Sequence, residues 1–87
     1  MGAAPRLAIV VAAECPSCDE ARAIARDIRE RFPGLTIELI AVDGQRPVPS
    51  QVVATPTYLL DGTVISLGNP RRERLVRLPR RRLAGQP

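Results

Sequence analysis

The sequence is 87 residues long and 45% apolar, enough for a single small domain with its own hydrophobic core. It contains no histidine, and all 13 basic residues are arginine, which excludes Ser-His or Cys-His catalysis, histidine-based metal sites, lysine Schiff bases and Walker-type phosphate binding. Residues 1–70 carry six arginines against eight acidic residues and residues 71–87 carry seven against one, so the net charge of +4 comes from the end of the chain.

The first half of the chain predicts a strand, a helix and a second strand. Residues 7–13 form a continuous aliphatic run without alternation, as expected of a strand buried on both faces. A helix follows, because Pro16 suits a first helical position, apolar residues then recur at helical spacing, and Pro33-Gly34 ends the pattern. Residues 35–42 predict the second strand. Since the connections are short, the three elements should form a right-handed βαβ unit with parallel strands.

The second half of the chain predicts a β-hairpin. The connector that precedes it has no clear periodicity and predicts only a short helical turn near residues 50–53. Residues 57–60 and 63–67 are two short strand patterns on either side of Asp61-Gly62, a dipeptide typical of a two-residue hairpin turn. Tyr58, in the first of these strands, is expected to pack in the core rather than to line a groove.

A short helix and a basic tail are predicted at the end of the chain. Asn69 is the expected N-cap and Pro70 the expected first residue of this helix, which Pro79 stops. The prediction is therefore an α/β fold with a central four-stranded mixed sheet, in one domain over residues 1–78, followed by a disordered tail at 79–87. A solvated terminus is the simplest explanation of the arginine excess, so no nucleic-acid or membrane partner is expected, and the chain is predicted to be a monomer.

The two cysteines of the sequence lie in one short motif, Cys15-Pro16-Ser17-Cys18. A disulfide across so short a loop removes only roughly 2 kcal/mol of chain entropy, so the spacing indicates thiol–disulfide chemistry rather than a structural cross-link. Cys15 lies at the predicted helix amino terminus, where unpaired backbone N–H groups favour an anion, so we assign it as the attacking thiolate. Cys18, one turn later and more buried, is the expected resolving thiol.

Three acidic residues close to the motif work against the thiolate. Glu14, Asp19 and Glu20 surround the motif in the sequence, and negative charge disfavours the ionisation of a nearby thiol. The helix amino terminus and these carboxylates therefore have opposite effects. We expect the pKa of Cys15 to be lowered only modestly below that of a free cysteine.

The motifs together resemble those of the thioredoxin superfamily, over roughly residues 7–78. The matching features are the CxxC motif after a buried strand, the segment Val53-Ala54-Thr55-Pro56-Thr57, and the Asp61-Gly62 hairpin closed by Gly68. The resemblance implies a thioredoxin-like fold, a cis Pro56 that packs against the active disulfide and shapes the substrate groove, and backbone pairing of Thr55 with the bound chain. A trans Pro56 at the start of an edge strand is the alternative.

The chain departs from the thioredoxin pattern at three places. Glu14 stands where thioredoxins carry an aromatic residue, Pro16-Ser17 where they carry Gly-Pro, and Ile9 where they carry a buried aspartate. Proline directly after the first cysteine is more similar to glutaredoxins and bacterial disulfide oxidases. The Gly-Gly-Asp glutathione-binding element of glutaredoxins is, however, not evident in residues 68–70. The subfamily therefore stays open.

The resemblance implies a thiol–disulfide oxidoreductase without cofactor or metal, and the cysteine usage favours the cytoplasm. The predicted site residues are the catalytic pair Cys15 and Cys18 and, for substrate binding, Pro16, Ser17, Thr55 and Pro56. The expected partners of the protein are a disulfide-containing protein substrate and an upstream reductase or glutathione.

Two alternative functions stay open. One is a Cu(I)-binding CxxC module, although Ala13 replaces the methionine usual there, and the other is a redox-inert interaction protein with the same fold.

Overall fold

The structure, a computed structural model, describes residues 5–44 and 47–77. Its elements in chain order are β1 (Arg6–Val11), α1 (Pro16–Arg31), β2 (Thr36–Ala41), β3 (Thr57–Leu60), β4 (Thr63–Leu67) and a short helix α2 over residues 72–77. No helix within these two ranges is long and apolar enough to cross a membrane. The predicted tail at 79–87 lies outside the described residues, so the end of the domain stays a prediction.

The four strands form one mixed sheet in the order β2-β1-β3-β4. β1 pairs in parallel with β2, with Arg6 opposite Thr36 and Val11 opposite Ala41, as a βαβ unit requires. The other edge of β1 pairs with β3, which is antiparallel to it, and β3 pairs antiparallel with β4. The predicted α/β fold with a central four-stranded mixed sheet is therefore confirmed.

The hairpin between β3 and β4 turns at the predicted dipeptide. Asp61 and Gly62 both have positive φ, 51° and 85°, which a type I′ turn requires at its two central residues. The Oδ1 atom of Asp61 also accepts a hydrogen bond from the backbone N–H of Arg6 at 2.9 Å. The hairpin turn therefore lies beside the start of β1, at the end of the sheet opposite to the cysteines.

Both faces of β1 are buried, as its uninterrupted aliphatic sequence predicts. The face toward α1 carries the larger core, which includes Leu7, Ile9, Val11, Cys18, Ala21, Ile24, Ala25, Ile28, Tyr58, Leu60 and Leu75. The opposite face carries a smaller core of Val10, Ile40 and Leu59, with Ala8, Val48, Val52 and Val64 packed against it. Val48 and Val52 belong to the connector between β2 and β3, so the connector covers the second face of the sheet.

The connector and the start of α2 differ in detail from the sequence predictions. Close to the short helical turn predicted near residues 50–53, the connector has a single turn, in which the N–H of Val52 donates to the carbonyl oxygen of Pro49 at 3.1 Å. Its prolines remove backbone donors, which disfavours a longer helix. α2 begins at residue 72 rather than at Pro70, because the side chain of Asn69 is engaged elsewhere and does not cap it.

α2 is held against the rest of the molecule by the buried side chain of Leu75, by the partly buried side chain of Val76 and by two ion pairs. Leu75 is fully buried in the larger core. Arg72 donates to Glu20 at 3.2 Å and lies 3.6 Å from the carboxylate of Asp27, and both acidic residues are on α1. Because these charged groups are partly exposed, the ion pairs contribute little net stability. Burial of Leu75 therefore supplies most of the attachment.

Replacement of Leu75 by alanine is expected to lower the free energy of unfolding by about 2–5 kcal/mol, the usual cost of truncating a fully buried leucine. Denaturant unfolding followed by circular dichroism measures it. The matched control is Leu67→Ala, because Leu67 is 60% exposed on β4. The control should change the free energy of unfolding by less than about 0.5 kcal/mol. Equal effects of the two substitutions would contradict the anchoring role of Leu75.

Candidate active site

Cys15 and Cys18 lie where β1 ends and α1 begins. The chain leaves the sheet after Val11, and Cys15 takes the N-cap position of α1 with Pro16 as the first helical residue. The backbone N–H of Cys18 donates to the carbonyl oxygen of Cys15 at 2.9 Å. The two Cα atoms are 5.2 Å apart, and the sulfur atoms are joined in a disulfide. Both sulfurs are therefore held at the amino end of a helix.

The two cysteines differ in exposure. Cys18 is fully buried in the larger core, and its Sγ accepts a hydrogen bond from the backbone N–H of Ala12 at 3.4 Å. Cys15 is partly exposed, and Pro16 and Ser17 between the two cysteines are exposed. A molecule that approaches from solvent can therefore reach the sulfur of Cys15 but not that of Cys18.

Two hydroxyl groups lie close to the Sγ atom of Cys15. Ser17 Oγ is 3.6 Å from it, and Thr55 Oγ1 donates to it at 3.8 Å across 40 positions of sequence. Hydroxyl donors and the free N–H groups of a helix start both stabilise negative charge on a sulfur. From the resemblance, Thr55 was expected to act through its backbone, so the contact of its side chain with Cys15 is an additional finding.

The loop that carries Thr55 is held by hydrogen bonds on both sides. The Thr55–Pro56 peptide bond is cis, and Pro56 is buried. The hydroxyl of the buried Thr57 donates to the carbonyl oxygen of Ala54, and the N–H of Gly68 donates to that of Pro56 at 2.7 Å. The second sequence motif is thus brought against the first. Pairing of the Thr55 backbone with a bound chain stays a prediction.

Asn69 is a site residue that the sequence patterns did not reveal. Its Nδ2 donates to the carbonyl oxygen of Ser17 at 2.8 Å, and its Oδ1 accepts a hydrogen bond from the Tyr58 hydroxyl at 2.7 Å. Gly68 has φ of 86°, a value that favours glycine, and makes the turn after β4 that leads to Asn69. The feature of the sequence that could have indicated this contact is Tyr58, because a tyrosine in the core needs a hydrogen-bond partner for its hydroxyl.

The Tyr58 hydroxyl is a hydrogen-bond donor in this arrangement. Tyr58 is fully buried, as predicted. Burial raises the pKa of its hydroxyl, the carboxylate of Glu20 raises it further, and Arg72 partly opposes this effect. The hydroxyl therefore stays protonated at physiological pH, and its proton is available to the amide oxygen of Asn69.

Two of the three acidic neighbours of the CxxC motif are paired with arginines. Asp19 lies 3.1 Å from Arg22, and Glu20 lies 3.2 Å from Arg72 of α2. Such partly exposed pairs contribute little to stability, but each places a positive charge beside a carboxylate. The negative field that these acids impose on Cys15 is therefore weaker than the sequence alone suggests.

Comparison with solved structures gives matches to thioredoxins. Oxidised mitochondrial thioredoxin 3 from Saccharomyces cerevisiae matches with a TM-score of 0.69 and 20% identity, over 85% of this chain and 74% of that chain. The chain has a thioredoxin-like fold. Oxidised thioredoxin O2 from Arabidopsis thaliana matches with a TM-score of 0.66 and 20% identity, over 85% of this chain and 70% of that chain. No family model and no curated protein sequence matches this one.

Within this thioredoxin-like fold, the cysteine pair is also the place where a metal ion could be held. The described residues contain no group of three or more histidine, cysteine, aspartate or glutamate side chains arranged to hold a metal ion. Two thiolates alone suit a soft ion of low coordination number such as Cu(I), whereas tetrahedral zinc needs further ligands. Cys15 and Cys18 would supply both sulfur ligands.

Replacement of Thr55 by valine keeps the shape of the side chain but removes the hydroxyl that faces the sulfur of Cys15. We expect alkylation of reduced Cys15 by iodoacetamide at neutral pH to slow by about two- to tenfold, because a single hydrogen bond contributes roughly 0.5–1.5 kcal/mol and only the thiolate reacts. Thr36→Val, at the exposed start of β2, is the matched control and should react at the wild-type rate. A wild-type rate in Thr55→Val would show that its hydroxyl does not stabilise the thiolate.

Proposed function

We propose that the protein is a thiol–disulfide oxidoreductase that uses the dithiol of Cys15 and Cys18. The asymmetry of the pair is the observation that supports this most. One sulfur is partly exposed at a helix start beside two hydroxyl groups, and the other is fully buried one turn later. An exchange reaction needs one accessible nucleophile and one protected sulfur, whereas a structural disulfide has no use for this difference. The thioredoxin-like fold supports the proposal by analogy.

Reduction of a substrate takes two exchange steps. The Cys15 thiolate attacks one sulfur of the substrate disulfide and forms a mixed disulfide, while the other substrate sulfur leaves as a thiolate and takes a proton from water. The Cys18 sulfur then attacks the Cys15 sulfur and passes its proton to the departing substrate sulfur, which closes the Cys15–Cys18 bond and releases the second substrate thiol. The substrate disulfide gains two electrons, and the dithiol of the protein loses them.

A protein with an exposed disulfide is the proposed substrate. Pro16 and Ser17 are exposed on one side of the accessible sulfur, and Thr55 borders it on the other. Val53 is 79% exposed near Thr55, so an apolar side chain is available to a substrate chain at this edge. Pro56 is buried and shapes the loop that carries Thr55. An extended peptide bound between these segments would present its disulfide to the sulfur.

The oxidised pair must be reduced again before the next turnover. We propose an upstream reductase with a dithiol, or two molecules of glutathione, as the electron donor. The reducing cytoplasm is the proposed compartment, because both cysteines of the sequence belong to the reactive motif and none is left for a structural disulfide. A monomer is sufficient for this chemistry, since one chain holds both sulfurs.

The two alternative functions lead to different chemistry. A Cu(I) module would bind one ion per chain through both sulfurs without dithiol exchange, and the thioredoxin-like fold differs from that of heavy-metal-associated domains. A redox-inert interaction protein would bind its partner without a covalent intermediate. A mixed disulfide at Cys15 is therefore the species that separates the proposed function from both.

The variant Cys18→Ser is expected to trap substrates, because the mixed disulfide at Cys15 then has no resolving thiol. Incubation with a lysate, followed by non-reducing electrophoresis and mass spectrometry, should reveal adducts that dithiothreitol releases. The matched control Cys15→Ser also keeps one cysteine but should form far fewer adducts, since Cys18 is buried. Absence of adducts, together with no exchange of the wild-type dithiol with glutathione, would contradict the proposed function. Binding of one Cu(I) per chain in that case would favour the metal module.

A further inference from the structure

Three groups connect the sheet to the turn that carries Cys15: the hydroxyl of Tyr58, the amide of Asn69 and the carbonyl of Ser17. We propose that Asn69, oriented by Tyr58, is a positioning residue that holds the turn between Cys15 and Cys18 in the geometry that stabilises the Cys15 thiolate. This role rests on the proposed function, because it takes Cys15 as the nucleophile.

Hydrogen bonding gives the amide of Asn69 a single favourable orientation. The hydroxyl of the buried Tyr58 donates to Oδ1 at 2.7 Å, so the NH₂ group points away from the ring. Nδ2 then donates to the carbonyl oxygen of Ser17 at 2.8 Å. A flipped amide would place Oδ1 against the Ser17 carbonyl oxygen, and two acceptors repel each other. The Ser17 carbonyl oxygen, which can only accept, therefore requires that Nδ2 of Asn69 face the turn, and the Tyr58 hydroxyl holds the amide in this orientation by donating to Oδ1.

The backbone that carries Asn69 is fixed as well. The N–H of Gly68 donates to the carbonyl oxygen of Pro56 at 2.7 Å, and the Ser66 hydroxyl donates to the carbonyl oxygen of Gly68 at 2.7 Å. Gly68 thus holds the loop that carries Thr55 and Pro56, and Asn69 holds the turn between Cys15 and Cys18. Both hydroxyl groups that face the sulfur of Cys15 belong to segments held in this way.

The contact of Asn69 matters most in the reduced protein, which is the form that attacks a substrate disulfide. In the oxidised form, the disulfide itself keeps Cys15 and Cys18 together. Reduction breaks only the bond between the sulfurs, so we expect the turn to keep the hydrogen bond from the Cys18 N–H to the Cys15 carbonyl and the hydrogen bond from Asn69 to Ser17. Asn69 then keeps the Ser17 hydroxyl within reach of the sulfur that carries the charge.

The test is the pH dependence of alkylation of Cys15 in the reduced full-length chain. Iodoacetamide is the probe, and peptide mass spectrometry separates Cys15 from the buried Cys18. Asn69→Ala should slow alkylation at neutral pH by about two- to tenfold, the effect of one lost hydrogen bond, and should shift the profile to higher pH. Asn69→Asp keeps an acceptor for Tyr58, has no donor for Ser17 and adds a negative charge near the thiolate, so its decrease should be at least as large.

Three further variants separate positioning from a general loss of stability. Tyr58→Phe leaves the amide in place without its orienting bond and should give a smaller decrease in the same direction. The double variant of Tyr58→Phe and Asn69→Ala should be no slower than Asn69→Ala, because Tyr58 acts through Asn69. Gln51→Ala is the matched control, since Gln51 also donates an amide N–H to a backbone carbonyl, that of Gly62 in the hairpin turn at the other end of the sheet. It should keep the wild-type profile.

A wild-type profile in Asn69→Ala, whether or not its Tm is lower, would overturn the proposal and leave Asn69 with a structural role only. If Asn69→Ala does not fold, Tyr58→Phe decides by the same measurement. Alkylation needs no substrate, so these outcomes are independent of whether Cys18→Ser captures a protein. A shifted profile supports the positioning role even where no adduct forms.

Discussion

β1 is paired on both edges and buried on both faces, and the rest of the structure depends on this constraint. A strand without a free edge or a free face can present only its ends to solvent, so chemistry is available where the chain leaves its carboxyl end. α1 begins there, and its amino terminus places unpaired backbone N–H groups at Cys15. The same helix buries Cys18 against the sheet one turn later.

Strand register explains why distant residues meet the CxxC turn. β3 is antiparallel to β1, with Thr57 opposite Val10, so the loop before β3 lies at the carboxyl end of β1. β4 is antiparallel to β3, with Leu67 opposite Thr57, so the chain after β4 emerges at the same end. Thr55 lies in the loop before β3, and Asn69 lies in the chain after β4. Each hydrogen bond involved contributes about 1 kcal/mol, but the shared sheet orders them together.

Hydrogen bonds and the helix start, rather than a neighbouring cation, account for the expected reactivity of Cys15. In the described residues, the side-chain polar groups that lie within hydrogen-bonding distance of its sulfur are the hydroxyls of Ser17 and Thr55. The arginines instead offset carboxylates, and Arg72 joins α2 to Glu20 and Asp27 of α1. The arginines therefore offset part of the negative charge near the site. The environment of the Cys15 sulfur therefore depends on the geometry of one short turn and of the loop that carries Thr55.

The sequence by itself determined most of the elements and the position of the Cys15–Cys18 pair, because the signals for these are local. β3 and β4 have the predicted bounds, and the Asp61-Gly62 turn and the helix start at Pro16 follow from backbone preferences of single residues. Only the tertiary structure decided that Thr55 Oγ1 faces Cys15 and that Asn69 joins Tyr58 to Ser17 instead of capping α2. These contacts join residues up to 52 positions apart, and their geometry comes from strand register and core packing, which no local pattern encodes.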